Sequence, residues 1–284
     1  MTIRERDAAK EPLRRDGRRR LWPRALLAIA AVYLLPVAVA AGLWLAEGKP
    51  MSWRSADWSS AGLLAPASAG GPAEIRVYAA RTGRWKGIVA VHSWIVLKPS
   101  GDRPYERYEV VGWGSPVRRD ARPPDGRWYS NEPQLLGMVA GAAAGPLVAR
   151  VKRVIAAYPY SAQGSYRIWP GPNSNSFVAW VLDRVPEIGV ALPPTAIGKD
   201  YPVDGAIAAL TGGGTGLRLS LSGVVSLTAG LREGIELNLF GLVAGIDLLN
   251  PAIKLPGIGR IGVPAGDWIP FTLSAAPPRS AQAA

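Results

Sequence analysis

The chain has 284 residues, enough for one or two folded units, and its 48% hydrophobic and 19% charged residues fit a packed core rather than a disordered chain or a multi-span transporter. With no cysteine and one histidine, His92, it has no disulfide, no thiolate nucleophile, no Cys-ligated metal and no site built on two imidazoles. Its net charge of +12 comes with no stripe of basic and aromatic residues and no nucleic-acid-binding signature, so a basic surface facing an anionic envelope is expected, and no nucleic acid.

Nine basic and four acidic residues precede Ala25, and this arm (1–24) is expected to stay in the cytoplasm. Ala25 through Ala46 then runs 22 residues without a charge. As a helix at 1.5 Å per residue that is about 33 Å, enough for a hydrocarbon core of roughly 30 Å. Pro36 is tolerable in a membrane helix, and Trp22 and Trp44 near its ends suit interfacial anchoring. The expectation is one span of the inner membrane with the main body on the periplasmic side. A cleaved signal peptide is the alternative, because Ala38-Val39-Ala40 has the small-residue pattern of a processing site. The length of the apolar run favours a retained anchor.

Residues 47–73, rich in Ala, Gly, Ser and Pro and carrying Trp53 and Trp58, read as a linker along the membrane surface. Period-two alternation from Glu74 marks a strand, and Ile88–Lys98 is the strongest strand in the chain. Turn residues at 99–104 and a returning strand over Tyr105–Trp113 complete a hairpin, followed by a Pro- and Arg-rich loop over 114–133. The apolar run Leu135–Ala149 is short for a second span. Helical spacing covers Leu147–Tyr158, and another helix starts within Pro172–Ser176 and stops at Pro186. Residues 206–284 form a Gly-rich β region, either a small second unit or extra strands on the first sheet. Its run Gly212–Gly216 lacks the Gly-Lys-Ser/Thr ending of a phosphate loop and reads as a turn. The fold class is therefore α+β, with an α+β domain over 74–205.

Two segments carry candidate chemistry. His92 is an imidazole inside an apolar strand, in Val91-His92-Ser93-Trp94. Asn173-Ser174-Asn175-Ser176 opens a helix, where a hydroxyl meets the positive end of the dipole and unpaired N–H groups that stabilise a developing oxyanion. In a catalytic reading His92 is the base, Ser174 the nucleophile, and the Asn175 or Ser176 backbone N–H part of the oxyanion hole. The alternative is that Asn173 or Ser174 is a helix N-cap and His92 a hydrogen-bonded core residue. With the hairpin turn centred near Gly101–Asp102, His92 faces Val111 and Trp94 faces Glu109, so His92 and Glu109 are diagonal neighbours and Glu109 is the candidate orienting group. A one-residue slip would bring Tyr108 round instead. Lys199-Asp200 is a second polar pair, either a salt-bridged turn or part of a site. No cofactor and no metal set emerges.

His92-Ser93-Trp94, the string Trp169–Phe177 and the string Leu192–Tyr201 resemble the DUF3750 family, a bacterial domain family of unknown function, over about residues 74–205. A more distant similarity is to circularly permuted papain-like folds, the NlpC/P60 and lecithin:retinol acyltransferase group. There a His on an early strand precedes an Asn-Cys-x-x-Phe-Val string at a helix start; here Asn173-Ser174-Asn175-Ser176-Phe177-Val178 occupies that place. The resemblance implies a papain-like mixed antiparallel sheet with a pocket, and Ser174 stands where the group has its Cys. A serine hydroxyl is not stored ionised beside a His as a thiol is, so it needs base, oxyanion hole and orientation together.

Three readings follow. One is a membrane-tethered serine hydrolase or acyltransferase built on His92, Ser174 and Glu109. Another is a non-catalytic envelope module that uses the same pocket, with Trp94, Asn173, Asn175, Ser176, Lys199 and Asp200, to bind a cell-wall peptide, a glycan or a lipid headgroup. The last is a structural membrane protein whose C-terminal strands meet another envelope component. Replacement of the thiol by a hydroxyl favours the second.

Overall fold

A computed structural model describes residues 16–50 and 52–263. Most of the basic arm and the end of the 206–284 region lie outside the described residues. Helix α1 spans Asp16–Ala46. Its Trp22–Ala46 part, 25 residues at mean hydropathy 2.4, is long and apolar enough to cross a membrane, and the same properties suit a signal sequence. Tyr33, Pro36, Ala40 and Trp44 make a buried stripe at helical spacing, while Leu26, Leu27, Leu34, Leu35 and Leu43 stay exposed. Trp44 does not stand free at the helix end: its ring lies on Gly87, where any Cβ would collide with it. Nor are residues 52–73 a free linker. Ser60 Oγ and the Leu63 N–H both donate to the Asp125 carboxylate at 2.7 Å, and the Trp58 ring packs 5.2 Å from that of Trp128.

The first sheet contains β1 (Glu74–Arg81), β2 (Val91–Lys98), β3 (Glu106–Val110), β4 (Val117–Arg119) and β5 (Gln134–Ala140). Its order is β4-β3-β2-β1-β5, antiparallel throughout. Strand β2 begins at Val91 rather than Ile88 because Arg84–Ile88 closes into a 3-10 turn. The apolar run from Leu135 divides into β5 and the start of α2 (Ala144–Ala156), with Gly141 at φ 80° at the break, a conformation glycine adopts without strain. Helix α3 covers Ser174–Arg184.

Successive strand side chains point to opposite faces, so β1 and β2 each serve two environments. Ile75, Val77, Val91, Ile95 and Leu97 join Val151 and Ile155 of α2 and Phe177, Val178 and Val181 of α3 in the main core. Tyr78, Ala80, Trp94 and Val96 face the other way and pack with Trp128.

The C-terminal strands are not additions to that sheet. Strands β6 (Ala208–Leu210), β7 (Gly216–Leu221), β8 (Val225–Gly230), β9 (Gly234–Leu239), β10 (Leu242–Asp247), β11 (Ala252–Leu255) and β12 (Gly259–Gly262) form a sheet of their own, a meander in which each strand lies beside its sequence neighbour. Its polar face lies against the 199–201 loop and α3: Ser220 Oγ donates to the Asp200 carbonyl at 2.6 Å, and Arg218 Nη2 to Asp183 at 2.8 Å.

Candidate functional site

The hairpin pairs Ile95 with Tyr108 and Leu97 with Glu106. This is the register that sets His92 and Glu109 on one face, and they meet there, His92 Nε2 lying 2.7 Å from Glu109 Oε2. Arg107, two residues before Glu109 on the same face, donates Nη2 to that oxygen at 2.9 Å. Its guanidinium lies 4.1 Å from the centre of the Trp94 ring. The imidazole stacks on Trp128 at 3.6 Å with an interplanar angle of 11°. Burial would raise the Glu109 pKa, but His92 and Arg107 outweigh it and hold the carboxyl at about 2. Burial also pushes the His92 pKa below its ordinary value, against the pull of Glu109. A neutral imidazole beside a carboxylate must carry its proton on Nε2 and donate it. His92 is thus fixed by two partners inside a closed aromatic layer.

The segment before α3 folds as a cap. Asn173 is the N-cap: its side-chain oxygen accepts from the Asn175 and Ser176 N–H groups, and the Ser176 hydroxyl accepts from the Asn173 N–H to complete a capping box. The Asn173 amide also donates to the Ile168 and Ile197 carbonyls, each at 3.0 Å. Ser176 Oγ is 2.6 Å from the Gly198 carbonyl oxygen and donates to it. Gly198 sits at φ 95°, and a Cβ there would strike the Asn173 amide, so this approach requires glycine. Asn175 accepts from Ser93 Oγ at 2.8 Å and donates to the Val91 and Ile197 carbonyls. It latches α3 to β2.

That latch decides the relation between the two candidate segments. Ser93, on the α3 side of β2, is the residue that meets the helix start. His92 is its neighbour and points through the other face, into the layer of Trp94 and Trp128. The structure joins His92 to Glu109 and does not join it to Ser174, because the sheet stands between them. Ser174 is buried at the first turn of α3, Trp94 is fully buried with its indole N–H donated to the Pro124 carbonyl at 2.8 Å, and the amides of Asn173 and Asn175 are engaged internally.

Lys199 and Asp200 belong to a third cluster, between the α+β unit and the second sheet. Lys199 Nζ is 3.1 Å from Asp200 and 2.6 Å from Glu236, and Glu236 also takes Lys254 at 2.6 Å. Although burial opposes its charge, the Lys199 pKa is raised by Asp200 and Glu236, and that of Asp200 is lowered by Lys199 despite the same burial. A cleft of about 330 Å³ opens nearby between α3 and β6–β7, lined by Trp180, Tyr201 and the pairs Arg218–Asp183 and Arg184–Asp204. Among the described residues no three His, Cys, Asp or Glu side chains converge so as to hold a metal ion.

Arg107, Trp128 and Glu236 complete these clusters beyond the candidates that the sequence offers. Arg107 had a usable signal, since period two puts it on the face of Glu109. Trp128 and Glu236 had none, for they arrive from a loop and from a different sheet.

Residues 72–201 match the family model DUF3750, described as a protein of unknown function. No curated protein and no solved structure matches the chain, so the likeness to papain-like folds has no structural comparison behind it.

Proposed function

Given that residues 72–201 belong to the DUF3750 family, we propose that the chain is a membrane-anchored cell-envelope protein whose domain is a non-catalytic module for a peptide, a glycan or a lipid headgroup. The observation that supports this reading is that the His92 ring stacks on Trp128 while its neighbour Ser93, on the alternate face of β2, is the residue that meets the start of α3. A serine nucleophile needs its base within hydrogen-bond reach. Here the base donates its proton to Glu109, and the helix start is spent on capping.

The cleft beside α3 is the binding place in this reading. Its volume of about 330 Å³ falls in the range of small-ligand sites, roughly 300–1,000 Å³. Each of its guanidiniums has a carboxylate partner, so a ligand of balanced charge with many hydrogen-bonding groups suits it better than a bare anion. The apolar helix and the basic arm before it support an inner-membrane anchor with the body on the periplasmic side.

The test is equilibrium binding of peptidoglycan stem peptides, glycan fragments and glycerophosphate headgroups to the full chain, with turnover followed in the same samples. Arg184→Ala should weaken binding, and Ser174→Ala should leave it intact with no turnover in either. Turnover lost in Ser174→Ala would overturn the non-catalytic reading, and no binding of any ligand would overturn the module itself.

A further inference from the structure

The outward face of the second sheet is apolar along its whole width. In β7 the outward residues are Leu217, Leu219 and Leu221; in β9 they are Ile235, Leu237 and Leu239. The ladder sets Leu219 opposite Leu227, Leu227 opposite Leu237, Ile235 opposite Ile246, and Ile246 opposite Ile253. Every outward position from β7 to β12 holds Leu, Ile, Val, Ala or Gly. The alternate positions, Ser220, Ser226, Thr228, Glu236, Asn238 and Lys254, are buried. This inverts the usual soluble arrangement, in which the polar face of an antiparallel sheet meets water. Leu219 is 43% exposed, Leu227 48% and Leu221 62%. So broad an apolar surface on a folded chain marks a contact with another phase or another molecule.

The membrane helix is fastened to this same sheet. α1 packs on β10 and β11, and the Tyr33 hydroxyl donates to the Leu237 carbonyl of β9 at 2.7 Å. Tyr33 is near the middle of the Trp22–Ala46 stretch, about 20 Å of helix from its outer end at 1.5 Å per residue. A helix seated in lipid to that depth therefore brings β9 and the leucines around it to the hydrocarbon.

We infer that the outward face of β7–β12 is a lipid-contacting surface that rests on the acyl chains of the membrane holding α1. The inference depends on the anchor reading above and extends it from one helix to a helix and a sheet. Only the face is committed to lipid. Among the described residues the edge strands β6 and β12 carry backbone groups without a strand partner on one side, and these need the headgroup layer or water.

The absence of cysteine makes the test direct. Single variants Leu219→Cys, Leu227→Cys and Leu221→Cys of the full chain are spin-labelled and reconstituted into phosphatidylethanolamine–phosphatidylglycerol vesicles. Leu35→Cys on α1 and Ser100→Cys on an exposed loop serve as references. Power saturation with oxygen and with a water-soluble nickel chelate should show the three sheet labels reached by oxygen and shielded from nickel, as at Leu35 and unlike Ser100. Nickel access at any sheet label with Leu35 shielded would overturn the inference and leave the anchor standing. Exclusion from both reagents would overturn it in favour of a protein cover, and spin–spin broadening would identify that cover as a second copy. Nickel access at Leu35 would remove the anchor reading and the inference together.

Discussion

The two sheets bury opposite halves of their strands. The first gives its α2–α3 side to a largely apolar core, with Ser93 the polar contact to α3, and closes its other side with tryptophans around the Glu109 carboxylate. The second turns Ser, Thr, Asn, Glu and Lys inward and its leucines outward. Yet both bury an acid between two basic groups: Glu109 between His92 and Arg107, Glu236 between Lys199 and Lys254. Which half of an alternating strand is buried depends on the surface it meets, and a charge is tolerated inside either sheet only with its partners in place.

Breaking the second cluster should have the largest effect. Glu236→Ala leaves Lys254 and part of the Lys199 charge buried without a carboxylate, which costs about 3–5 kcal/mol for a buried pair broken on one side. Denaturant unfolding of the full chain in detergent measures it. A loss below about 1 kcal/mol, the scale of an exposed pair, would mean that the polar face is hydrated and the inward packing loose.

The first cluster sharpens the comparison through pH. The folded pKa of Glu109 is about 2 against an ordinary 4.5, so its stabilisation is present above pH 4.5 and is lost as pH falls towards 2. The folded pKa of His92 lies below its ordinary 6.5. The unfolded chain therefore takes up a proton there first, and stability also declines as pH falls below 6.5. Both groups act in the same direction. Glu109→Gln should remove the carboxylate's own loss between pH 4.5 and 2 and, by taking away its upward pull on His92, deepen the decline that begins below 6.5 in unfolding measurements; an unchanged profile would place the acid sensitivity elsewhere.

The smallest expected change is at the helix start. Asn173→Ala removes the N-cap of α3 and should cost about 1 kcal/mol from the cap alone. Circular dichroism during thermal unfolding would follow it. Rescue by Asn173→Asp, which restores the cap acceptor but not the amide donors to Ile168 and Ile197, separates capping from the latch.

Much of this was legible along the chain. The turn residues at 99–104 centre the hairpin, and counting outward from them puts His92 and Glu109 on one face. Asn173 and Pro186 bound α3. Alternation from Leu217 onward marks the later strands. The relation of His92 to Ser174 was hidden for a physical reason: β2 is apolar on both faces, so no polar side tells which parity meets the helix. The inward turn of the second sheet was hidden likewise, because period two groups residues into faces without assigning either face a partner.

The sequence by itself determined most of the local conformations, the charge-free helix and the family match of residues 72–201, and narrowed the first hairpin to two registers, all of which follow from neighbours a few residues apart or from an unbroken string. Only the tertiary structure decided which side of β2 faces α3, that Lys199 and Glu236 meet across 37 positions, and that the leucines of β7–β12 point away from the protein. Those outcomes depend on how separate elements share buried area and compensate charge, which no local pattern records.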